Sequence, residues 1–140
     1  MISIEKPKDL LGLAINNILN YRKDDSEFVK LISNWNKNII IEIEMFYPLE
    51  IIFKGNEIKF KINDFNKKID LKVKMGLQAL LDVAAGRLNP ITAVIKRKIK
   101  IKGIYKIKTL LKFIKIFVTS MKMVMADPNI NYYEIERNKR

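Results

Sequence analysis

Basic side chains crowd the stretch between Val83 and Ala126: Arg87, Lys96, Arg97, Lys98, Lys100, Lys102, Lys106, Lys108, Lys112, Lys115 and Lys122 lie there with no aspartate or glutamate among them. Such a run holds phosphate or carboxylate groups, or simply keeps a face solvated. The net charge of +12 over 140 residues points to the same class of partner, an anion supplied by nucleic acid, a phospholipid surface or an acidic protein. Bond-making chemistry has less to work with. The chain has no histidine, the ordinary general base near neutral pH and the commonest transition-metal ligand, and no cysteine for disulfides or thiolate zinc sites. Neighbouring carboxylates have plainer roles. Asp24, Asp25 and Glu27 stand where a helix needs N-cap oxygens, Glu42 and Glu44 alternate on the wet face of a strand opposite cross-strand lysines, and Glu134 and Glu136 lie in a polar tail. The sequence therefore predicts a protein that is not an enzyme, with no catalytic residue, metal site or cofactor.

The elements that would position this basic run follow from periodicity. With 49% hydrophobic residues the chain can bury the core of one domain over 1–140, centred on about 5–125 with a tail over 126–140. No apolar stretch approaches the roughly 20 residues that cross a bilayer, so the expectation is a soluble, cytoplasmic protein. Pro7 suits the first turn of a helix carrying Leu11, Ala14, Ile15, Ile18 and Leu19, and the pair Asp24 and Asp25 with Ser26 offers N-cap oxygens to a second whose face is Phe28, Leu31, Ile32 and Trp35. The period then changes to two. Ile39, Ile41, Ile43 and Met45 form one apolar row; Leu49, Ile51 and Phe53 a second; Ile58, Phe60 and Ile62 a third beyond the Gly55-Asn56 hairpin; Ile69, Leu71, Val73 and Met75 a fourth beyond Asn63–Asn66. Four one-faced strands in succession predict an antiparallel meander with one charged, wet side.

From Gly76 the spacing is helical again, with Leu77, Leu80, Leu81 and Ala84 recurring until Gly86 stops the helix. Asn89 and Pro90 open a short helix with Ile91, Val94 and Ile95 expected inward. Lys98, Lys100 and Lys102 then alternate with Ile99 and Ile101 in a fifth strand ending at Gly103. The closing helix, about Tyr105 to Met125, carries a narrow polar stripe of Lys108, Lys112, Lys115, Thr119 and Lys122 and an apolar arc wider than one sheet contact needs. That arc is either pinned between sheet and helices or at a dimer contact, or else it lines a cavity or touches a bilayer, with methionines as adaptable lining.

Ala-Gly-Arg-Leu-Asn-Pro at 85–90, Ile91-Thr92-Ala93 and Lys98-Ile99-Lys100-Ile101-Lys102-Gly103, in this order of elements, resemble the sterol carrier protein 2 family of lipid-binding domains. The matching positions are Gly86, Leu88, Asn89, Pro90, Ala93, Lys98, Lys100, Ile101, Lys102 and Gly103, and the order of strands extends the resemblance to about residues 5–120. Three features depart from the family pattern: Arg97 stands where a glycine is usual before the lysine strand, Val94 and Ile95 replace an aromatic pair, and the chain closes on Asn-Lys-Arg instead of a peroxisomal signal. The resemblance implies an α+β fold, a five-stranded, mainly antiparallel sheet with helices packed on one face, and between them an apolar tunnel for a fatty acyl, acyl-CoA, sterol or isoprenoid lipid. Taken element by element, the expected wall is Leu77, Leu80, Leu81, Ile91, Val94, Ile95, Leu110, Ile114, Phe117 and Met121. Lys96, Arg97, Lys108, Lys112 and Lys115 would hold an anionic headgroup or meet an anionic membrane. Two other readings stand beside the carrier: a non-catalytic scaffold with a filled pocket that binds a protein partner, and a nucleic-acid-binding module, which lacks the aromatics interleaved with basic residues that stack bases.

Overall fold

Alternating side chains bury one face of the sheet strand by strand. In the computed structural model, which describes residues 2–102 and 107–126, strand β1 is Ser3–Ile4, β2 Trp35–Ile43, β3 Leu49–Gly55, β4 Glu57–Lys61, β5 Leu71–Met75 and β6 Ile99–Lys102. Ile39, Ile41 and Ile43 of β2 bury beside Leu49, Ile51 and Phe53 of β3, Ile58 and Phe60 of β4, Leu71, Val73 and Met75 of β5, and Ile99 of β6. Helices α1 (Leu10–Tyr21), α2 (Ser26–Ile32), α3 (Leu77–Ala84), α4 (Pro90–Ile95) and α5 (Ile107–Ala126) contribute Leu11, Ile15, Phe28, Ile32, Val83, Ala93, Leu110, Phe113 and Phe117 to the same hydrophobic cluster. The alternate residues of each strand point to the opposite face.

The strand order is β1-β4-β3-β2-β5-β6, which corrects the expected meander. β5 lies parallel to β2, with Ile39, Ile41 and Ile43 opposite Leu71, Val73 and Met75, so the chain cannot turn back at Asn63–Asn66; it must cross the sheet to start β5 in the same direction as β2. Residues 62–70 make that crossing over the outer face. Glu50 anchors it there: although it belongs to the row expected to be wet, it is fully buried and accepts from the backbone N and Nδ2 of Asn66 at 3.1 and 2.8 Å. Asp70 Oδ2 accepts from Asn38 N at 2.8 Å, and Asn38 Nδ2 donates to the Lys68 carbonyl at 3.1 Å. Ile62 and Ile69, expected in strands, fall in this crossing. The sheet is therefore mixed, and it gains a sixth strand because β1 adds parallel to β4; two residues carry no alternation to read. Past the crossing the outer face is basic, and lysines meet across the β5–β6 ladder, Lys72 opposite Lys102 and Lys74 opposite Lys100.

Local turns account for the other differences. Met45 takes a φ of 76° and is 93% exposed, since β2 has already ended at Ile43. Trp35 leaves the face of α2 because Asn34 takes a φ of 58°, and it starts β2 with its ring 4.9 Å from that of Phe53. α1 is capped by Asp9, whose Oδ2 accepts from Gly12 N at 2.7 Å and from the Tyr47 hydroxyl at 2.5 Å, so Pro7 precedes the helix instead of opening it. Of the cap oxygens that Asp24, Asp25 and Ser26 offered, α2 uses that of Asp25. Gly103, the start of the closing helix at Tyr105 and the polar tail beyond Ala126 lie outside the described residues.

α3 and α4 end in the same way. After α3, Gly86 N donates to the Val83 carbonyl and Arg87 N to that of Asp82; after α4, Arg97 N donates to Val94 and Lys98 N to Ala93. Both are Schellman turns, which need one residue with positive φ: Gly86 supplies 80° and Arg97 supplies 60°. A side chain in that conformation costs on the order of 1 kcal/mol. Arg97→Gly is expected to raise the stability by about 0.5–1 kcal/mol in urea melts, and Gly86→Ala to lower it by about 1 kcal/mol, an asymmetry between two turns that share the same pair of Schellman hydrogen bonds.

Candidate functional site

The apolar face of the sheet meets three helices around one cavity. Val73 and Met75 of β5 and Ile99 of β6 form its floor, Leu80 and Val83 of α3 with Pro90 and Val94 of α4 form one wall, and Leu110, Phe113, Ile114, Phe117 and Val118 of α5 close it. Every lining residue is apolar, so nothing inside can polarise a bond or move a proton. The cavity measures about 30 Å³. That is room for little more than a water molecule, against about 300–1,000 Å³ for the usual small-molecule site.

Of the expected wall, Leu80, Val94, Leu110, Ile114 and Phe117 meet at this cavity. Met121 is buried in the core but does not line it. Leu77, Leu81, Ile91 and Ile95 are turned outward, Ile95 being 74% exposed, which corrects the inward placement given to Ile91 and Ile95. The reason is helix length. An eight-residue and a six-residue helix each offer the sheet a narrow arc; α3 spends it on Leu80 and Val83, α4 on Ala93 and Val94, and the i,i+4 pairs Leu77/Leu81 and Ile91/Ile95 fall outside it. The floor residues Val73, Met75 and Ile99 were legible as inward rows of their strands but were not assigned to the wall, and nothing in the helical spacing singles out Val83 or Pro90.

The expected rim does not gather into one cluster. Lys96 and Arg97 are exposed at the end of α4, and Lys108 and Lys115 are exposed on α5. Lys112 lies 5.2 Å from the centre of the Trp35 ring, and burial lowers its pKa below the usual lysine value. Among the described residues no three histidine, cysteine or carboxylate side chains could hold a metal ion, and no helix is long and apolar enough to cross a membrane.

α5 is fixed by a residue that periodicity does not reveal. Arg22, 1% exposed at the end of α1, donates from Nε to Asp25 Oδ2 at 3.1 Å and from Nη1 to the Lys115 carbonyl at 3.2 Å and Ser120 Oγ at 3.4 Å, with its guanidinium 5.4 Å from the Phe28 ring centre. The α1–α2 corner is thereby tied to the helix that closes the cavity.

The sequence profile of the SCP-2 sterol transfer family matches residues 15–118. The chain belongs to that family. No curated protein sequence matches it significantly. Among solved structures, a protein titled "UbiJ-SCP2 Ubiquinone synthesis protein" superposes with a TM-score of 0.58 at 14% identity, covering 82% of this chain and 88% of that one. Sterol carrier protein domain 2 of Helicoverpa armigera gives 0.55 at 19% identity over 85% and 94%. The inverting sec-alkylsulfatase Pisa1 of a Pseudomonas species gives 0.54 at 19% identity over 64% of this chain, which spans 14% of that enzyme. These likenesses establish the α+β sterol-carrier fold; proteins of this family are lipid carriers.

The α5 anchor has a pH signature. The backbone N–H of Glu27 and then the Arg22 guanidinium hold the Asp25 carboxyl below its ordinary value of 3.8. A depressed folded-state pKa gives stability that is present above the unfolded value and lost as pH falls through the folded one. Wild-type protein should therefore lose thermal stability below about pH 4, and Asp25→Asn, already weaker at pH 7, should lose less over pH 5 to 2 in calorimetric scans.

Proposed function

We propose that this chain is a non-enzymatic, cytoplasmic carrier that holds a fatty acyl, acyl-CoA, sterol-like or isoprenoid lipid between β5–β6 and α3–α5. The observation that carries this reading is the wholly apolar cavity walled on one side by α3 and α4, two short helices whose outward residues are themselves large and apolar. Leu77, Leu81, Ile91 and Ile95 are too exposed to be core, and they join the wall when α3 and α4 turn as they open, which brings this outward stripe toward the lipid. α5 is the fixed side, because Arg22 ties it to the rest of the helical layer. Each methylene leaving water contributes roughly 0.8 kcal/mol, so an acyl chain can offset the work of opening the space without any polar contact. Lys96 and Arg97 at the end of α4 and Lys108, Lys112 and Lys115 along α5 are separate candidates for the headgroup and for an anionic bilayer, at about 1 kcal/mol for each basic residue near the surface. Isoprenoid lipids belong among the ligands because one structural neighbour is titled a ubiquinone synthesis protein.

The small cavity favours one competing reading, the scaffold with a filled pocket. Native mass spectrometry of the purified protein, followed by extraction and identification of bound lipid, separates the two. The carrier shows a stoichiometric lipid adduct, and Val94→Trp, which plugs the cavity, lowers lipid uptake at least tenfold while the protein stays folded. A bare mass that persists after incubation with palmitate, palmitoyl-CoA, cholesterol and a polyprenyl lipid overturns the carrier and leaves the scaffold.

A further inference from the structure

A second concavity lies on the opposite face of the sheet, where β2, β3, β4 and the crossing segment 62–70 enclose a groove of about 550 Å³. Its walls are built by the topology. Residues Trp35 to Asn38 of β2 pair with β3 alone because β5 begins opposite Ile39, and the crossing segment is held beside them by the Asn66–Glu50 and Asp70–Asn38 bonds.

The chemistry of the groove is one-sided. Lys54, Lys59, Lys61 and Lys68 line it, while Lys37 borders it from the ladder position opposite Phe53, on the helical face; of these lysines only Lys59 has an ion pair within 4 Å among the described residues, to Glu57 at 3.9 Å with both side chains more than half exposed. Asp70 is the single carboxylate in the lining, and its Oδ2 is taken by the Asn38 N–H. Asn36 uses its oxygen on Gly55 N, which leaves its NH2 group as donor. Cations and donors thus converge on a space whose carboxylate is already engaged.

We propose that this groove binds a compact polyanion, a small molecule carrying two or more phosphate groups. Its volume falls within the range of about 300–1,000 Å³ typical of small-ligand sites, whereas a bilayer presents no convex body to fill it. The only aromatic in the lining, Phe53, has its side chain in the core at 1% exposure, so no base can stack as on a single-strand binder. Lysine is depleted from protein–protein interfaces, which argues against an acidic protein. The site is separate from the lipid cavity and does not depend on the carrier reading.

Titration calorimetry of the full chain at low ionic strength with inorganic tripolyphosphate tests the assignment. Saturable one-to-one binding is expected in the wild type, a loss of at least tenfold in Lys54→Glu/Lys68→Glu, and less than a twofold change in Lys72→Glu/Lys100→Glu, which alters net charge equally on the same face outside the groove. Should the first pair fail to fold, Lys59→Gln/Lys68→Gln replaces it, with a loss of at least threefold expected. A nucleoside triphosphate that binds more tightly than tripolyphosphate identifies a nucleotide as the source of the phosphates, and equal affinity identifies the phosphates alone; either supports the groove. Absence of saturable binding overturns it. So does equal weakening by both charge reversals, or binding of duplex DNA or phosphatidylserine vesicles without tripolyphosphate binding, because each of these reports the general field of a basic protein.

Discussion

The parallel pairing of β5 with β2 organises everything else in the molecule. Parallel neighbours cannot be joined by a tight turn, so the chain after β4 must travel back across the sheet before β5 begins. That requirement lays residues 62–70 over the outer face, buries Glu50 beneath them and makes Asn66 its hydrogen-bonding partner. It also puts Val73 and Met75 at the far side of the sheet from β4, where they meet β6 and face α3, α4 and α5. One pairing thus separates an apolar site on the helical side from a basic groove on the other.

The helical layer is unequal in its attachments. α5 packs against α1, α2 and α3, and the buried Arg22 adds two hydrogen bonds to its backbone and side chain. This explains why its apolar arc is wider than a single sheet contact would require. α3 and α4 are short, closed by Schellman turns, and bury only one or two residues each. A cavity bounded by one anchored helix and two lightly held ones has a defined direction in which it can widen.

Much of this architecture was legible before any coordinates. Strand rows such as Ile39-Ile41-Ile43 and Val73-Met75, the Asp25 and Asn89 caps, and the stop at Gly86 follow from residue type and spacing alone, and the motif around Gly86–Gly103 pointed to the right family. The partner of β5 was not legible, because an alternating strand carries the same face pattern whether its neighbour runs parallel or antiparallel. The exposure of Leu77 and Leu81 was not legible for a related reason: helical spacing tells which residues share a stripe, and it does not tell which stripe a short helix turns inward. Arg22 was invisible because its role depends on a carbonyl 93 residues away.

The lysine pairs across β5 and β6 bear on how copies of this chain meet. Like charges directly opposite one another on neighbouring strands repel, so the ladder accepts a local cost at Lys72–Lys102 and Lys74–Lys100. Among the described residues β6 is also an outermost strand of the sheet. A second molecule that tried to extend the sheet there would bring its own Lys100 and Lys102 beside these four, adding charge to a row already crowded with it. The residues that make this edge costly within one molecule thereby make it more costly to share, and they favour a discrete protein over a growing ribbon.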